Sequence, residues 1–139
     1  MVASAFGKIQ VNAASADAAI ERSRQLIGES QDEARGVSVA GLAKGARAYG
    51  LNAQVIERAN ANVIRAELAK GRLVIAHVVP TYLNPNATTG HYTVVTAIVG
   101  DTVYLNDPAT TRGPVTCTVA QLEAAIRKRG TYMIVSIAP

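Results

Sequence analysis

Two short polar stretches carry the side chains best suited to acid–base chemistry. Gly90-His91 opens a β-rich run after a polar loop over 81–89, and Asn106-Asp107-Pro108 ends the next β-rich run. An imidazole that acts as a general base needs an acceptor, such as a carboxylate, at its other ring nitrogen. His91 and Asp107 could form that pair. Each motif also has a simpler interpretation, because histidine caps or packs at strand starts and Asn-Asp-Pro initiates turns.

The Gly100-Asp101 dipeptide brings both motifs to one end of a sheet. Glycine in the first position is typical of a two-residue type II′ hairpin turn. Unbroken pairing back from this turn puts Val94 opposite Asp107, with His91 three residues further along. We therefore expect His91 and Asp107 at the same end of the sheet, in contact only if the strand bends or the loop folds back.

The elements that position these residues predict an α+β fold, with N-terminal helices packed on a mostly antiparallel sheet. The order is three helices, a short strand near 54–56, a fourth helix, three strands, a fifth helix and a closing strand over 132–137. The apolar run over 73–79 is typical of a strand covered on both faces. With 139 residues, the chain fits a single domain over 1–139.

Local signals set the helix boundaries. The apolar spacing from Ala3 to Gln10 predicts a first helix, and Ile20 contributes to an apolar stripe on the second. Thr118 and Gln121 form a capping-box pair that opens the last helix. The remaining N-caps and C-terminal stops are Ser15 and Gly28, Ser38 and Gly50, and Asn60 or Asn62 and Gly71.

Composition excludes several classes of protein. Hydrophobic residues make up 49% and charged residues 17%, which is typical of a globular chain. Aromatic residues total 4% and Trp is absent, which argues against a stacking platform for single-stranded nucleic acid. The net charge of +4 is spread over the chain, and the longest basic run is Arg127-Lys128-Arg129. We therefore do not expect nucleic acid as a partner.

Cysteine and histidine are scarce. A single cysteine, Cys117, excludes an internal disulfide and a cysteine-cluster metal site, and two histidines are too few for most zinc sites. We expect no metal and no cofactor. Cys117 is interpreted as a small buried apolar residue rather than a reactive thiol. His77 lies inside an apolar run and is interpreted as a core histidine that donates to a backbone carbonyl.

Membrane insertion is not expected. The longest apolar run is much too short to span a bilayer, and no signal segment opens the chain. We expect a cytoplasmic protein.

Taken in order, the motifs resemble the C39-type cysteine peptidases, a branch of the papain-like fold found in bacteriocin exporters and as free C39-like proteins. By this resemblance, His91 matches the family's catalytic histidine and Asp107 matches the aspartate that orients it. The resemblance covers roughly 36–137, and the matching stretches are Gly36-Val37-Ser38, Gly41-Leu42, Ala46, Tyr49-Gly50-Leu51, Leu68, 71–76, 90–95 and 100–109.

The nucleophile is where the sequence departs from this family. The family's cysteine opens the first helix, shortly before a small pair that Ala3-Ser4 resembles, so its position falls at or just before Met1. A glutamine that helps to hold the oxyanion would lie further upstream. Cys117 follows the aspartate and does not match the nucleophile, and Ser4 falls about a turn too far along the helix.

The resemblance therefore implies a catalytically degenerate domain that binds a peptide segment or a protein partner in the groove between its N-terminal helices and its sheet. The small size and positive charge also permit a role as an inhibitor in a phage–host conflict, for instance against a CRISPR complex. The alternative is an active C39-type cysteine peptidase whose catalytic cysteine lies just upstream of Met1.

Overall fold

A six-stranded sheet forms the centre of the structure, a computed structural model that describes residues 1–10, 12, 14–28, 36–110 and 113–139. All paired strands run antiparallel, in the order β1-β6-β2-β3-β4-β5. The sheet therefore confirms the predicted antiparallel α+β class. The strands are β1 (Asn52–Ile56), β2 (Leu73–Val78), β3 (His91–Val99), β4 (Thr102–Asn106), β5 (Val115–Thr118) and β6 (Ile134–Ala138).

Four of the five helices in the described ranges begin at N-caps that the sequence indicates, although Ser15 makes no side-chain capping bond to α2. Ser38 Oγ accepts from the Gly41 N–H at 2.9 Å, Asn60 Oδ1 accepts from the Val63 N–H at 2.9 Å, and Thr118 forms its capping box. Asn60, and not Asn62, is therefore the cap of the fourth helix. The helices are α1 (Val2–Ala5), α2 (Ala16–Ile27), α3 (Val39–Ala48), α4 (Ala61–Ala69) and α5 (Val119–Arg129).

Helices cover both faces of the sheet, so strand β2 is buried on both sides as its continuous apolar run predicts. Alternate residues of a strand point to opposite faces. Val74, Ala76 and Val78 pack with α4 and α5, whereas Leu73 and Ile75 pack with α1 and α3. None of the helices in the described ranges is long and apolar enough to cross a membrane.

Two helix predictions are wrong in detail. Helix α1 makes only one turn and does not extend towards Gln10, because Gly7 takes a positive φ of 67° just after it. Ile20 is 51% exposed and does not join the apolar stripe of α2. The α2 face that meets α3 carries Ser23, which bonds to the Tyr49 hydroxyl, and Ile27.

Two strand predictions also need correction. Strand β5 was not expected, because it has only four residues and runs directly into α5. The β3–β4 pairing follows the predicted register from the turn to Ala97 opposite Tyr104, but a bulge at Thr96 then shifts it by one residue. Val94 therefore lies opposite Asn106, not opposite Asp107. The bulge bends the strand and changes the direction of its end.

The core packing gives a first prediction. Leu122 is fully buried between α5 and the sheet, so Leu122→Ala is expected to lower the free energy of unfolding by about 2–5 kcal/mol. The matched control is Ile20→Ala on the exposed side of α2, where a change below about 0.5 kcal/mol is expected. Urea unfolding of both variants measures the difference. Equal losses in the two variants would contradict the placement of the core.

Candidate functional site

His91 and Asp107 are in direct contact at the end of the β3–β4 hairpin. His91 is the first residue of β3, and Asp107 directly follows β4. The Nε2 atom of His91 lies 2.7 Å from Oδ1 of Asp107. The one-residue shift at Thr96 leaves Asp107 beyond the paired part of β4, where it begins the loop that folds towards His91. The structure thus brings together the two residues that the sequence placed at one end of the sheet.

Asp107 is a buried carboxylate held by three hydrogen bonds. Besides His91, the Tyr82 hydroxyl donates to its Oδ2 at 2.8 Å, and the Ala109 N–H donates to its Oδ1 at 2.9 Å. Burial alone would raise the pKa of Asp107, but these hydrogen bonds outweigh it and lower the pKa below its ordinary value. Burial raises the pKa of Tyr82, so the phenol stays protonated and able to donate.

The charge on Asp107 determines how His91 is oriented. An ionised carboxylate only accepts hydrogen bonds, so the Nε2 atom of His91 carries the proton and donates it. The Nδ1 atom has no hydrogen bond to any described residue, and the side chain is 21% exposed. The histidine therefore directs its Nδ1 atom away from the carboxylate. This is the arrangement that a general base requires.

An apolar cavity of about 240 Å³ is lined in part by the residues that adjoin this pair in the chain. Tyr92 and Pro108, the residues that follow His91 and Asp107, form part of its wall. Helix α1 forms another part through Met1, Val2 and Ala3. The cavity thus lies between the N-terminal helices and the sheet, and its other walls include Ile9, Ser23, Ile27, Leu42, Ala46, Tyr49, Ile75 and Ile137.

Cys117 lies apart from His91. It is 6% exposed, as predicted, and packs in the core between the sheet and helices α4 and α5. It stands opposite Val103, four residues along β4 from Asp107, a separation of about 13 Å along the strand. Burial raises its pKa to about 11, so the side chain is a thiol at neutral pH. Cys117 has neither the position nor the ionisation of a nucleophile.

The contacts of His77 correct the predicted bond to a backbone carbonyl. Its Nε2 accepts from Arg129 Nε at 2.7 Å, and its Nδ1 lies 3.2 Å from the Thr131 hydroxyl. Its ring stacks on Tyr92 with centroids 4.4 Å apart. Burial, together with the Arg129 charge, lowers the pKa of His77 to about 4, so the ring is neutral. The prediction failed because the donor comes from a residue 52 positions away.

Tyr82 and Arg129 are the site residues that the sequence analysis missed. Tyr82 lies in the polar loop between β2 and β3, and no local pattern connects it with Asp107. Arg129 belongs to a basic run that is interpreted most simply as a solvated helix end. In the described part of the chain, no three His, Cys, Asp or Glu side chains cluster as they would around a metal ion.

A helix-covered antiparallel sheet with a His–Asp pair at one end defines a domain of the papain-like class. Residues 20–130 match the Peptidase C39 family. The chain therefore belongs to the Peptidase C39 family, as its motifs indicated. A comparison with curated proteins finds no match.

Solved structures of C39 domains have the same fold. The peptidase domain of Streptococcus ComA, a bi-functional ABC transporter of a quorum-sensing pathway, matches at 17% identity and a TM-score of 0.69, over 99% of this chain and 85% of that one. A double glycine motif protease from an AMS/PCAT transporter, in complex with its leader peptide, matches at 23% identity and a TM-score of 0.65, over 100% of this chain and 79% of that one.

A third structure is a C39-like peptidase from Bacillus anthracis. It matches at 18% identity and a TM-score of 0.61, over 75% of this chain. The match covers only 60% of the Bacillus anthracis chain, so this chain corresponds to part of that protein.

The contacts of Asp107 give a second prediction. Tyr82→Phe removes one of its three donors, so the pKa of Asp107 is expected to rise towards its ordinary value. A ¹³C NMR titration of the Asp107 carboxyl group measures that change. Tyr104→Phe, which alters an exposed tyrosine, is the matched control. An unchanged Asp107 titration in Tyr82→Phe would contradict the role of this hydrogen bond.

The same variant has a stability test whose sign follows from the pKa. Because folding lowers the pKa of Asp107, its ionised form stabilises the fold above the carboxyl's ordinary pKa, and that stability is lost as the pH falls through the lower, folded value. Tyr82→Phe should therefore cost about 1–3 kcal/mol at pH 7 and less in acid.

A third prediction concerns Cys117. A thiol with a pKa of about 11 has about a hundredfold less thiolate at neutral pH than one at 9, and burial slows access further. Labelling by a disulfide reagent should therefore be at least about a hundredfold slower than in a Cys117→Ser/Ala48→Cys control, whose new thiol is exposed on α3. Labelling of Cys117 as fast as that of the control would contradict its burial.

Proposed function

We propose that the 139 residues act as one C39-family domain that binds a peptide segment in the apolar cavity beside His91 and Asp107 without cleaving it. The proposed site of action is the cytoplasm. The observation that carries the proposal is the cavity itself, which lies between helix α1 and the loop that begins at Asp107. A peptide placed there would bury apolar side chains near the His–Asp pair.

The related structures support a peptide as the ligand. One of them, the double glycine motif protease, was solved in complex with a leader peptide. This chain shares the fold over its whole length, and its cavity lies between the same layers that the family resemblance assigns to the groove. An extended or helical peptide segment with apolar side chains is therefore the proposed ligand class.

The proposed lack of cleavage rests on the chemistry of acyl transfer. A histidine base contributes only about 10²–10⁴-fold, so peptide hydrolysis also needs a nucleophile or an oxyanion site. No thiol lies beside His91 among the described residues, and Cys117 is buried in a separate core cluster. Ser4 is exposed and does not line the cavity. The described residues thus supply a base without the group that it would activate.

A second candidate is an active cysteine peptidase whose cysteine precedes Met1. One observation favours it. His91 bonds Asp107 through Nε2 and leaves Nδ1 available, which is the orientation that a thiol partner would need. The test is the upstream reading frame. If it encodes a glutamine and a cysteine, the extended protein should cleave a diglycine peptide and lose that activity on Cys→Ala.

A fourth prediction tests peptide binding. The probe is a synthetic peptide with several leucines that ends in Gly-Gly, and calorimetry measures its affinity. Ala46→Leu places a larger side chain in the cavity wall and displaces part of the peptide. Each peptide methylene that is no longer buried costs about 0.8 kcal/mol, so binding is expected to weaken by about tenfold or more. Ala48→Leu, exposed on the same helix, should leave the affinity unchanged. Equal affinity in both variants would contradict the proposed cavity.

The same peptide with a fluorogenic group after Gly-Gly tests the absence of cleavage. No turnover is expected from the protein or from His91→Ala. Turnover that disappears in His91→Ala would show that a nucleophile is present, and the second candidate would then replace the first.

A further inference from the structure

A second, more polar cavity of about 520 Å³ lies beside the first. The two cavities share Ile27 and Tyr92 as walls, so a ligand that fills the apolar cavity passes next to the polar one. Its polar side chains include His77, Arg129, Thr131 and Ser38, which caps helix α3. None of the described residues that line it carries a carboxylate.

Arg129 is held in place by a neutral partner. Its Nε donates to His77 at 2.7 Å, and the Thr131 hydroxyl meets the other ring nitrogen of His77. The terminal amino groups of Arg129 have no hydrogen bond or ion pair with a described residue. The guanidinium is thus oriented by a group that does not neutralise it, and the four N–H donors of its terminal amino groups have no partner among the described residues.

Arg129 also reaches the start of strand β3. A Cβ at Gly90 would come within 2.8 Å of Arg129 Nε, so the glycine leaves the space that the side chain occupies. Gly90 directly precedes His91. The guanidinium therefore lies over the backbone next to the His–Asp pair, where a bound peptide would pass.

We propose that Arg129 binds a carboxylate of the peptide that occupies the neighbouring apolar cavity. This inference rests on the proposed function for the position of the peptide. A planar guanidinium with two unpaired amino groups matches a carboxylate in a bidentate geometry. Either an acidic side chain or the peptide's C-terminus can supply this carboxylate, because both present the same pair of oxygen atoms.

The test is a set of matched peptides. A single Asp is placed at successive positions of the leucine-rich Gly-Gly peptide, and each peptide is compared with one that has Asn at the same position. Every peptide is made both with a free and with an amidated C-terminus. At one position, or with the free terminus, the carboxylate should tighten binding by about tenfold, the effect of a hydrogen bond to a charged group. Arg129→Gln should abolish that preference, and Arg127→Gln, exposed on the same helix, should keep it.

The outcomes separate the two proposals. If no carboxylate tightens binding, or if the preference survives in Arg129→Gln, the Arg129 site is wrong. If the preference depends on Arg129 but Ala46→Leu has no effect, the carboxylate site stands and the apolar cavity is not where the peptide binds. If Ala46→Leu weakens binding and no carboxylate preference exists, only the cavity stands.

A direct titration guards against a variant that fails to fold. N-acetylaspartate N-methylamide, whose only carboxylate is its side chain, should shift the Arg129 Nε–H resonance of the unaltered protein in a saturable way, whereas N-acetylasparagine N-methylamide, which has no carboxylate, should not. Arg129→Lys, which keeps the charge and loses the planar fork, should bind the carboxylate peptide more weakly than the unaltered protein. The absence of a saturable shift would overturn the proposal without any variant.

Discussion

The burial of the Asp107 carboxylate is the constraint on which the site depends. An anion removed from water is stable only when hydrogen-bond donors replace that water. Its three donors come from separate segments: Tyr82 in the loop after β2, His91 at the start of β3, and the backbone of Ala109 in its own turn. Each donor must lie within hydrogen-bond distance, so these segments hold one another in place. The orientation of His91 is thus a property of the loop packing around Asp107.

The hairpin that carries this pair shows what the sequence could and could not predict. The Gly100-Asp101 turn was visible because only a few residue types fit it, and Gly100 has the required positive φ of 58°. The bulge at Thr96 was not visible. Residues 94–95 and 97–99 are all apolar, so a one-residue slip leaves the hydrophobic pattern unchanged. Counting from the turn therefore placed Asp107 opposite Val94, where the structure has Asn106.

The same distinction between local and distant signals applies to the rest of the molecule. The caps at Ser38, Asn60 and Thr118 were correct because each cap bonds a backbone group three residues away. The His–Asp pair was found through its order along the chain and its family resemblance. Tyr82 and Arg129 were missed because their partners lie 25 and 52 residues away. Only the packed structure brings such residues together.

The two histidines show how neighbouring positions acquire different chemistry. His77 lies opposite Tyr92 and His91 lies opposite Val78, so they occupy successive rungs of the β2–β3 ladder. The partner of His91 is a carboxylate, which accepts a hydrogen bond from Nε2 and leaves Nδ1 without a partner among the described residues. The partner of His77 is a guanidinium, which donates to Nε2, and burial together with the Arg129 charge keeps the ring neutral by lowering its pKa. One imidazole therefore directs a ring nitrogen away from its anionic partner, whereas the other holds a cation in a fixed direction.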